Sequence, residues 1–408
     1  MLIEWRDRLA SGDVSAREAV DEWLHRLETV NQRTNCIACC DAERALAAAA
    51  ALDDTYACGG VVGPLHGVPF TVKDWIDVEG LPCTGGFVDA RDRRPAADAT
   101  VVRRLRTAGA VVLAKTAVQV ESELFGAVRN PHRPQHSPGA SSSGEAAAVG
   151  GRGSLFGLAS DSGGSIRVPA AWCGAAGLKP TAGLVPVTGH FPRVGDRGDG
   201  RTQIGPLAMS VPDLAFLLPL LAGPDDIDPG VPPITLEESS DAGLIGLRVA
   251  RAASVDDWRC DDEVGEAVDA AVTAFVDRGA TQVDDIDLRL SDCFDITQRY
   301  WDRSRLSGAE ADRQLRDWDH YRWSMARARR DIDVIVMPTT AGCAPLHRPM
   351  ETADYGFTLP ASLTGWPALN VPLRRDGQLP LGVQLVARSW QDHVALAAGA
   401  LLEHVWAG

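Results

Sequence analysis

Short runs typical of β-strands alternate with helix-forming segments along this chain, and this alternation constrains its fold more than any other feature. A helical segment at about 99–108 lies between the first two runs, and another follows Ser143. Strands that alternate with helices form layered α/β structures, because each helix returns the chain across the sheet. The expected strands are 68–72, 111–114, 155–159 and 334–337. The sequence therefore predicts an α/β fold with a largely parallel or mixed sheet.

Two helices are expected before the first of these strands. Ser15 and Glu18 have the spacing of a capping box, in which each side chain accepts a hydrogen bond from the other residue's backbone amide. Trp23 and Leu27 follow on one apolar face. An alanine-rich segment at about 41–53 predicts the second helix.

The acidic composition excludes several classes of partner. The 408 residues carry a formal net charge of −15, whereas nucleic-acid binding needs a basic face. The N-terminus lacks the apolar core of a signal peptide, and no apolar run is long enough to cross a membrane. The nine cysteines are irregularly placed, as is typical of reduced thiols. We predict a cytoplasmic protein with neither a nucleic-acid nor a membrane partner.

No motif for a cofactor or a metal is evident. The sequence has no phosphate-binding loop, dinucleotide fingerprint or zinc-protease helix. Cys36, Cys39 and Cys40 invite a metal or redox interpretation, but no second Cys/His pair at zinc spacing accompanies them, so a packing role is favoured. We predict no cofactor and no metal site.

The segment 160–167, Ser-Asp-Ser-Gly-Gly-Ser-Ile-Arg, has the composition of a turn that surrounds a ligand with backbone amides. Gly163 and Gly164 have no Cβ, so their N–H groups can approach a ligand closely. Ser165, directly after this pair, could attack a carbonyl while the amides of Ser162 and the two glycines hold the oxyanion. An ordinary polar Gly-Gly turn is the alternative interpretation.

Oppositely charged residues flank this turn. We expect Asp161 and Arg167 to fix its shape through hydrogen bonds or an ion pair. The alternative interpretation is that Arg167 is an exposed surface residue with no role in the turn.

Lysine is scarce in this chain, and this scarcity draws attention to Lys73. Lysine occupies three positions among a total of 40 lysines and arginines. Arginine stays charged in proteins and cannot act as a base, whereas a buried lysine can lose its proton. Lys73 follows the strand run 68–72, where burial would lower its pKa. We infer that it is a candidate general base, the alternative being an accident of codon bias and packing.

Three consecutive hydroxyl residues, Ser141, Ser142 and Ser143, lie between glycines in mid-chain. Gly/Ser runs are usually flexible linkers, but this run leads directly into helix-forming alanines. A serine here could relay a proton between Lys73 and Ser165.

These segments together closely resemble the amidase signature family of serine hydrolases. The family pattern Gly-Gly-Ser-Ser-Gly-Gly is matched at 139–144, Asp-Thr-Gly-Gly-Ser-Ile-Arg at 161–167, and Gly-Leu-Lys-Pro-Thr at 177–181. The resemblance begins near Ser11, covers nearly the whole chain and is densest at 63–209. It implies a three-layer α/β/α fold, in which helices cover a central, mostly parallel or mixed twisted sheet.

The resemblance also implies a Ser–cisSer–Lys triad that hydrolyses amides through an acyl-enzyme and releases ammonia or an amine. Ser165 would be the nucleophile and Lys73 the general base. Ser141 would be the middle serine, because the family places that residue 24 positions before the nucleophile. A cis bond at a non-proline residue costs about 3 kcal/mol and persists only where its surroundings enforce it.

Three positions depart from the family pattern. Ala140 and Ser143 replace glycines, and each adds a Cβ that would clash if the backbone had a positive φ there. Ser162 replaces a threonine, which is a milder change because the backbone N–H carries the predicted role. If these changes abolish catalysis, the alternative is that the chain is a non-catalytic binding protein with the same fold.

We predict a single amidase signature domain over 1–408, with a signature core at 63–210, a variable helical region at about 224–330 and a C-terminal core segment at 331–408. The predicted substrate is a small-molecule amide, and a homodimer is left open. A glutamine-hydrolysing subunit of an aminoacyl-tRNA amidotransferase would use the same triad and is a further alternative. The predicted pocket residues are Trp172, Tyr355, Phe357 and Trp366.

Overall fold

A computed structural model describes most of the chain. The described residues are 1–60, 63–194, 200–237, 245–252, 259–374 and 377–407. Parts of the predicted variable region, 238–244 and 253–258, lie outside them.

Helices occur throughout the described residues. The α-helices are α1 Leu2–Ser11, α2 Ala16–Thr34, α3 Ala42–Ala57, α4 Thr100–Thr107, α5 Ser143–Gly150, α6 Arg167–Cys173, α7 Val211–Leu221, α8 Asp262–Asp277, α9 Leu290–Trp301, α10 Gly308–Ala328, α11 Leu359–Thr364 and α12 Asp392–Ala407. Short 3₁₀ segments are Val88–Ala90, Arg303–Arg305 and Thr352–Thr358.

The strands are mostly short. They are β1 Ile37–Cys40, β2 Pro69–Lys73, β3 Val111–Thr116, β4 Glu121–Ser122, β5 Gly126–Ala127, β6 Phe156–Asp161, β7 Ala176–Lys179, β8 Gln203–Ala208, β9 Arg248–Arg251, β10 Thr281–Gln282, β11 Val334–Pro338, β12 Ala368–Leu373 and β13 Leu381–Ala387.

The predicted elements are present with small shifts in their bounds. At the start of α2, the Ser15 amide donates to Glu18 Oε2 at 2.9 Å and the Glu18 amide donates to Ser15 Oγ at 3.1 Å, which confirms the capping box. Trp23 and Leu27 are buried on the inner face of this helix. The predicted alanine-rich helix extends beyond position 53 to Ala57.

Eleven strands form one mixed sheet, which confirms the predicted fold class. Their order is β1-β3-β2-β6-β8-β7-β12-β13-β11-β9-β10. The strands β3, β2 and β6 pair in parallel, as do β11, β9 and β10. The remaining neighbours pair antiparallel.

The parallel pairing of β2 and β6 brings together two segments that are far apart in sequence. Thr71 is opposite Gly157 in this register. The carboxyl ends of parallel strands lie at the same edge of a sheet. Lys73, the last residue of β2, therefore lies beside Ser160 and Asp161, the last residues of β6.

Helices cover the sheet to give the three layers. The helices α7 and α8 each contact α12 beside strands β8 to β13, whereas α5 and α6 contact each other beside β2, β6 and β7. Apolar side chains fill the spaces between layers, and the rings of Phe70 and Phe156 stack 5.1 Å apart across β2 and β6. Within the described ranges, none of the helices has the length and apolar character needed to cross a membrane.

Candidate active site

Lys73 lies at the end of β2, fully buried among hydroxyl groups. Its Nζ is 2.7 Å from Ser141 Oγ and 2.9 Å from Ser142 Oγ. The same nitrogen lies 3.0 Å from Ser160 Oγ and 4.1 Å from the centroid of the Trp75 ring. Hydroxyl groups can accept from an ammonium or donate to a neutral amine. The surroundings of Lys73 therefore suit either protonation state.

Burial decides which of these states is favoured. It holds the pKa of Lys73 well below its usual value, and the carboxylates of Asp161 and Glu145 oppose that shift. Glu145 is itself buried, and desolvation raises its pKa to about 7 although Thr71 and Thr116 donate hydrogen bonds to it. Near neutral pH, Glu145 is therefore partly protonated and does less to hold Lys73 in its charged form.

Asp161 holds the turn that follows β6. Its Oδ1 accepts a hydrogen bond from the Gly164 amide at 2.7 Å, and its Oδ2 accepts one from the Ile166 amide at 3.1 Å. Arg167 donates to the same carboxylate from Nε at 3.0 Å and from Nη2 at 2.9 Å. Burial would raise the pKa of Asp161, but the Arg167 guanidinium holds it below its usual value. A charged carboxylate therefore fixes the turn at neutral pH.

Arg167 also ties the turn to the C-terminal part of the chain. Its Nη1 donates to Thr358 O at 2.8 Å and to Gln384 Oε1 at 2.6 Å. Its Nη2 donates to Ser362 Oγ at 2.8 Å. Because this guanidinium is fully buried, it is a structural anchor, and the alternative interpretation of Arg167 as a surface residue is wrong.

The predicted oxyanion donors differ in whether their amides are already hydrogen-bonded. The Gly164 amide donates to Asp161 Oδ1, and its assignment to the oxyanion hole stays a prediction. The amides of Ser162, Gly163 and Ser165 make no hydrogen bond within the described part of the chain. These three amides are therefore the donors that this turn offers to an oxyanion.

Gly164 is a glycine for two geometric reasons. Its φ of +137° is one that other residues rarely adopt, and a Cβ there would overlap Thr358 Oγ1. That hydroxyl lies 2.5 Å from Gly163 O. The C-terminal part of the chain thus packs directly against the turn at Thr358. Only a residue without a side chain at position 164 leaves room for this contact.

The Ser165 side chain is buried at the end of the turn. No hydrogen bond joins it to Ser141 among the described residues, where the Ser141 hydroxyl contacts Lys73 instead. Among those residues the cis peptide bond is the one between Phe191 and Pro192, so the cis bond implied by the family resemblance at Ser141 is not present. Ser141 therefore contacts Lys73 but does not reach Ser165 in this structure.

The two substitutions in the serine-rich loop fit without strain. Neither Ala140 nor Ser143 has a positive φ, and Ser143 begins α5, where its Oγ donates to Gln119 O. Gly139 adopts the left-handed conformation instead, with a φ of +112°, and a Cβ there would overlap Pro169. The clash that would have signalled an inactive loop does not occur.

A cleft of about 720 Å³ opens beside the turn. Its lining includes the segment 119–123, the side chains of Trp301 and His347, and the segment 349–352 with Tyr355. The lining is partly aromatic and partly acidic.

Of the four predicted pocket residues, Tyr355 lines this cleft and the other three do not. Trp172 is buried beside Ala344, and its Nε1 donates to Gly342 O at 3.3 Å. Phe357 and Trp366 belong to an apolar core cluster, and the Trp366 ring also lies 4.1 Å beneath the guanidinium of Arg329. Their apolar faces are used in packing, and their assignment to a substrate pocket stays a prediction.

Sequence reasoning missed two residues beside Lys73. Ser160 Oγ contacts both Lys73 Nζ, at 3.0 Å, and His190 Nε2, at 2.9 Å. Its position directly before Asp161 in the motif 160–167 was a sequence signal that Ser160 lies in the site. His190 had no such signal, because a distant loop contributes it.

Comparison with known proteins places this geometry in a family. The sequence model of the family described as Amidase matches residues 18–295 and 296–396. The AtzE subunit of the 1-carboxybiuret hydrolase of Pseudomonas sp. (strain ADP) is 33% identical, over 98% of this chain and 97% of that protein. An acylamidase of Rhodococcus erythropolis is 31% identical, over 98% and 94%. A glutamyl-tRNA(Gln) amidotransferase subunit of Lachnospira eligens is also 31% identical, over 98% and 97%.

Solved structures agree with these matches. A chain from a vestigial protein complex, solved to trace the evolutionary origins of an s-triazine catabolic enzyme, superposes with a TM-score of 0.90 at 29% identity, covering 99% of this chain and 98% of that one. A structure described as an amidase superposes with a TM-score of 0.85 at 28% identity, covering 99% of both chains. The similarity therefore extends over the whole fold.

Proposed function

The chain belongs to the amidase signature family of amide hydrolases, and we propose that Ser165 is its nucleophile, Lys73 its general base and Ser141 the relay between them. The observation that carries this proposal is the 2.7 Å contact between Lys73 Nζ and Ser141 Oγ at a fully buried position. The hydrogen-bond partners of that nitrogen are hydroxyl and carbonyl groups. Such partners suit a neutral amine, and burial favours this form, which can accept a proton.

Acylation begins with removal of the Ser165 proton. Ser165 forms a hydrogen bond with Ser141 when substrate binds, since catalytic hydrogen bonds are often long or misaligned without substrate. The Ser165 proton then passes to Ser141 Oγ as the Ser141 proton passes to Lys73 Nζ. Ser165 Oγ forms a bond to the carboxamide carbon, and the carbonyl oxygen becomes an oxyanion.

The turn then stabilises the charge that develops. The amides of Ser162, Gly163 and Ser165 are available to donate to the oxyanion, and one such donor is typically worth about 3 kcal/mol. As the intermediate collapses, the ammonium of Lys73 returns a proton through Ser141 to the leaving nitrogen. The C–N bond breaks, ammonia or an amine departs, and water hydrolyses the acyl-enzyme by the same steps.

We propose a small-molecule amide as the substrate. A cleft of about 720 Å³ can hold a compound of that size. Relatives whose names refer to 1-carboxybiuret hydrolase and acylamidase activities support this size class. We also propose that the chain acts as a single amidase signature domain in the cytoplasm, either alone or as a homodimer.

Glutamine hydrolysis within an amidotransferase is the second candidate function. The observation that favours it is the 31% identity to the glutamyl-tRNA(Gln) amidotransferase subunit of Lachnospira eligens, over 98% of this chain. That function requires a partner chain that uses the ammonia. Glutaminase activity of the purified protein, without hydrolysis of other amides, would favour it.

Ammonia release from a panel of aliphatic, aromatic and urea-type amides tests the main proposal. The wild-type protein should release ammonia from at least one class, and Ser165→Ala should abolish that release. A fluorophosphonate should label the wild-type protein covalently at Ser165. An intact fold with neither hydrolysis nor labelling would instead support a non-catalytic binding protein.

A further inference from the structure

His190 is a buried histidine to which the proposed mechanism gives no role. It lies in the loop between β7 and β8, and the amide of the next residue, Phe191, donates to Trp75 O at 2.7 Å. The His190 ring packs edge-on against the Trp75 ring, with the centroids 5.9 Å apart, and the centroid of that indole lies 4.1 Å from Lys73 Nζ. The loop therefore holds the imidazole beside the candidate base.

The hydrogen bonds of the imidazole fix where its proton lies. Nδ1 of His190 is 2.7 Å from Pro192 O, and a carbonyl oxygen can only accept, so Nδ1 carries the proton. In a neutral imidazole the other nitrogen is then an acceptor. Nε2 is 2.9 Å from Ser160 Oγ, so the Ser160 hydroxyl donates to it.

Two hydroxyls beside Lys73 can therefore only accept from its amine. Ser160 Oγ, 3.0 Å from Lys73 Nζ, directs its proton to His190. Ser142 Oγ, 2.9 Å from the same nitrogen, donates to Ser160 O at 3.2 Å. Each of these hydroxyls takes one N–H of the amine. The carbonyl of Ser160, 3.4 Å from the nitrogen, can share the N–H that points at Ser160 Oγ.

A neutral amine has two N–H groups and one lone pair. With both N–H groups directed to Ser142 and Ser160, the lone pair faces Ser141 Oγ, at 2.7 Å. We propose that His190 is a positioning residue, which acts through Ser160 to turn the lone pair of the lysine toward the relay serine. The inference rests on the proposed function, because it takes Lys73 as the base and Ser141 as the relay. It deepens that function by explaining why Ser141, and not Ser142, passes its proton to the lysine.

Loss of the imidazole acceptor would release the Ser160 hydroxyl. That hydroxyl is then free to rotate and to donate to the lone pair of Lys73, in competition with Ser141. A smaller fraction of the amine would be oriented to accept the relayed proton. The described lining of the cleft does not include His190, so substrate binding should be unaffected. The effect should therefore appear in kcat and not in KM.

His190→Phe is the direct test, because it keeps an aromatic ring against Trp75 and removes both ring nitrogens. We expect kcat for amide hydrolysis to fall by about 10-fold with little change in KM, as for loss of one hydrogen bond. A wild-type kcat in folded His190→Phe would overturn the proposal.

Ser160→Ala shows whether His190 acts through Ser160. It removes the hydroxyl that connects the imidazole to the amine, and it should itself lower kcat by about 10-fold. Adding His190→Phe to Ser160→Ala should then cause no further loss, because the two residues belong to one path. Losses that multiply in the double variant would show that the two residues act independently and would overturn the proposal.

His66→Phe is the matched control. His66 is as buried as His190, each with 6% of its surface exposed. Its ring lies 5.5 Å from that of Tyr56, and the residue precedes β2, at the opposite end of that strand from Lys73. The value of kcat should stay within about two-fold of wild type, as expected for a distant site. A loss equal to that in His190→Phe would overturn the proposal, since replacing any buried histidine would then have the same effect.

The tautomer of His190 can be measured in the wild-type protein, so this test depends neither on the folding of a variant nor on activity. Nitrogen-15 NMR at about pH 8, where histidine is neutral, distinguishes a protonated ring nitrogen from an unprotonated one. The contact of the ring with Trp75 identifies its signals. We expect the proton on Nδ1. A proton on Nε2 would overturn the proposal, because Ser160 would then accept from the imidazole.

The outcomes separate this inference from the proposed function. If the wild-type protein neither hydrolyses amides nor is labelled at Ser165 by a fluorophosphonate, the proposed function fails, and the inference fails with it. If the wild-type protein hydrolyses amides and Lys73→Ala does not, the proposed function stands. An undiminished kcat in His190→Phe then refutes the role of His190 alone.

Discussion

Lys73 Nζ and Ser141 Oγ lie 2.7 Å apart at a position where the lysine side chain is fully buried. The contact joins the end of β2 to the loop before α5, two segments that are separated by 68 positions. A lysine in this setting is neutral more readily than one in water, because desolvation penalises the ammonium.

Replacing Lys73 should therefore remove the base without removing the fold. Lys73→Ala should lower kcat/KM by about 1,000-fold or more, within the range for loss of a general base together with its relay. Lys73→Arg should not restore activity, because arginine keeps its proton in proteins. Amide hydrolysis and circular dichroism measure the two effects. Substantial activity in Lys73→Arg would contradict the neutral-lysine mechanism.

The neutral-lysine mechanism also predicts how kcat/KM depends on pH. Burial holds the pKa of Lys73 well below its usual value, and the active form is the neutral amine. The value of kcat/KM should therefore rise with pH through that lowered pKa and then level off. A flat profile between about pH 5 and pH 9 would argue against Lys73 as the base.

Ser141 and Ser142 provide a matched pair, since both hydroxyls contact Lys73, at 2.7 Å and 2.9 Å. If Ser141 is the relay, Ser141→Ala should lower kcat by about 100-fold or more. Ser142→Ala should lower it by less than about 10-fold, because it removes one contact to the amine and leaves the proton path intact. Equal losses measured in the same amidase assay would show that the spacing to Ser165 does not distinguish the two serines.

Gly164 and Gly223 separate steric overlap from backbone strain. Both have a positive φ, +137° and +94°, but a Cβ on Gly164 would overlap Thr358 whereas nothing lies within 4 Å of one on Gly223. Gly223→Ala should cost about 1 kcal/mol of unfolding free energy from the backbone alone. Gly164→Ala should cost about 2 kcal/mol or more and also reduce kcat. Urea unfolding measures the loss of unfolding free energy in both variants. Equal losses would contradict a steric overlap between a Cβ at position 164 and Thr358.

Glu145 should make stability depend on pH. Its folded-state pKa is raised by burial to about 7 from 4.5. The carboxyl is protonated in both states below about pH 4.5, and the stabilising proton is lost as the pH rises through about 7. The free energy of unfolding should therefore carry a contribution from Glu145 that falls by about 1–3 kcal/mol over this range.

Glu145→Gln tests this dependence, because glutamine does not titrate. Unfolding free energies at pH 5 and pH 8 should differ less in Glu145→Gln than in the wild-type protein. Glu43→Gln, at an exposed position in α3, is the control and should preserve the wild-type difference. An unchanged difference in Glu145→Gln would show that other groups cause the pH dependence.

Local patterns predicted much of the fold and the centre of the site. The capping box of Ser15 and Glu18, the strand before Lys73 and the turn before Ser165 depend on hydrogen bonds and side-chain periodicity within a few residues. Such features are visible in one sequence, because the interacting groups are neighbours along the chain. The spacing of Ser141 and Ser165 in the family motif added the third candidate.

Tertiary packing decided what local patterns could not. Phe357 and Trp366 are part of an apolar core, whereas Tyr355, in the same short region, lines the cleft. An aromatic side chain can supply either a core or a pocket, and which it does depends on elements that arrive from elsewhere in the chain.

The same reason explains the amide of Gly164. The sequence predicts that this amide is an oxyanion donor, yet in the structure it donates to Asp161. Arg167 joins that carboxylate to Thr358, Ser362 and Gln384. The sequence by itself determined which residues bring chemistry to the site: a lysine that can be neutral, a serine after a glycine turn and a hydroxyl between them. The tertiary structure alone decided which hydrogen bonds those residues make, because the acceptors come from distant parts of the chain and only the folded protein brings them within hydrogen-bonding distance of each donor.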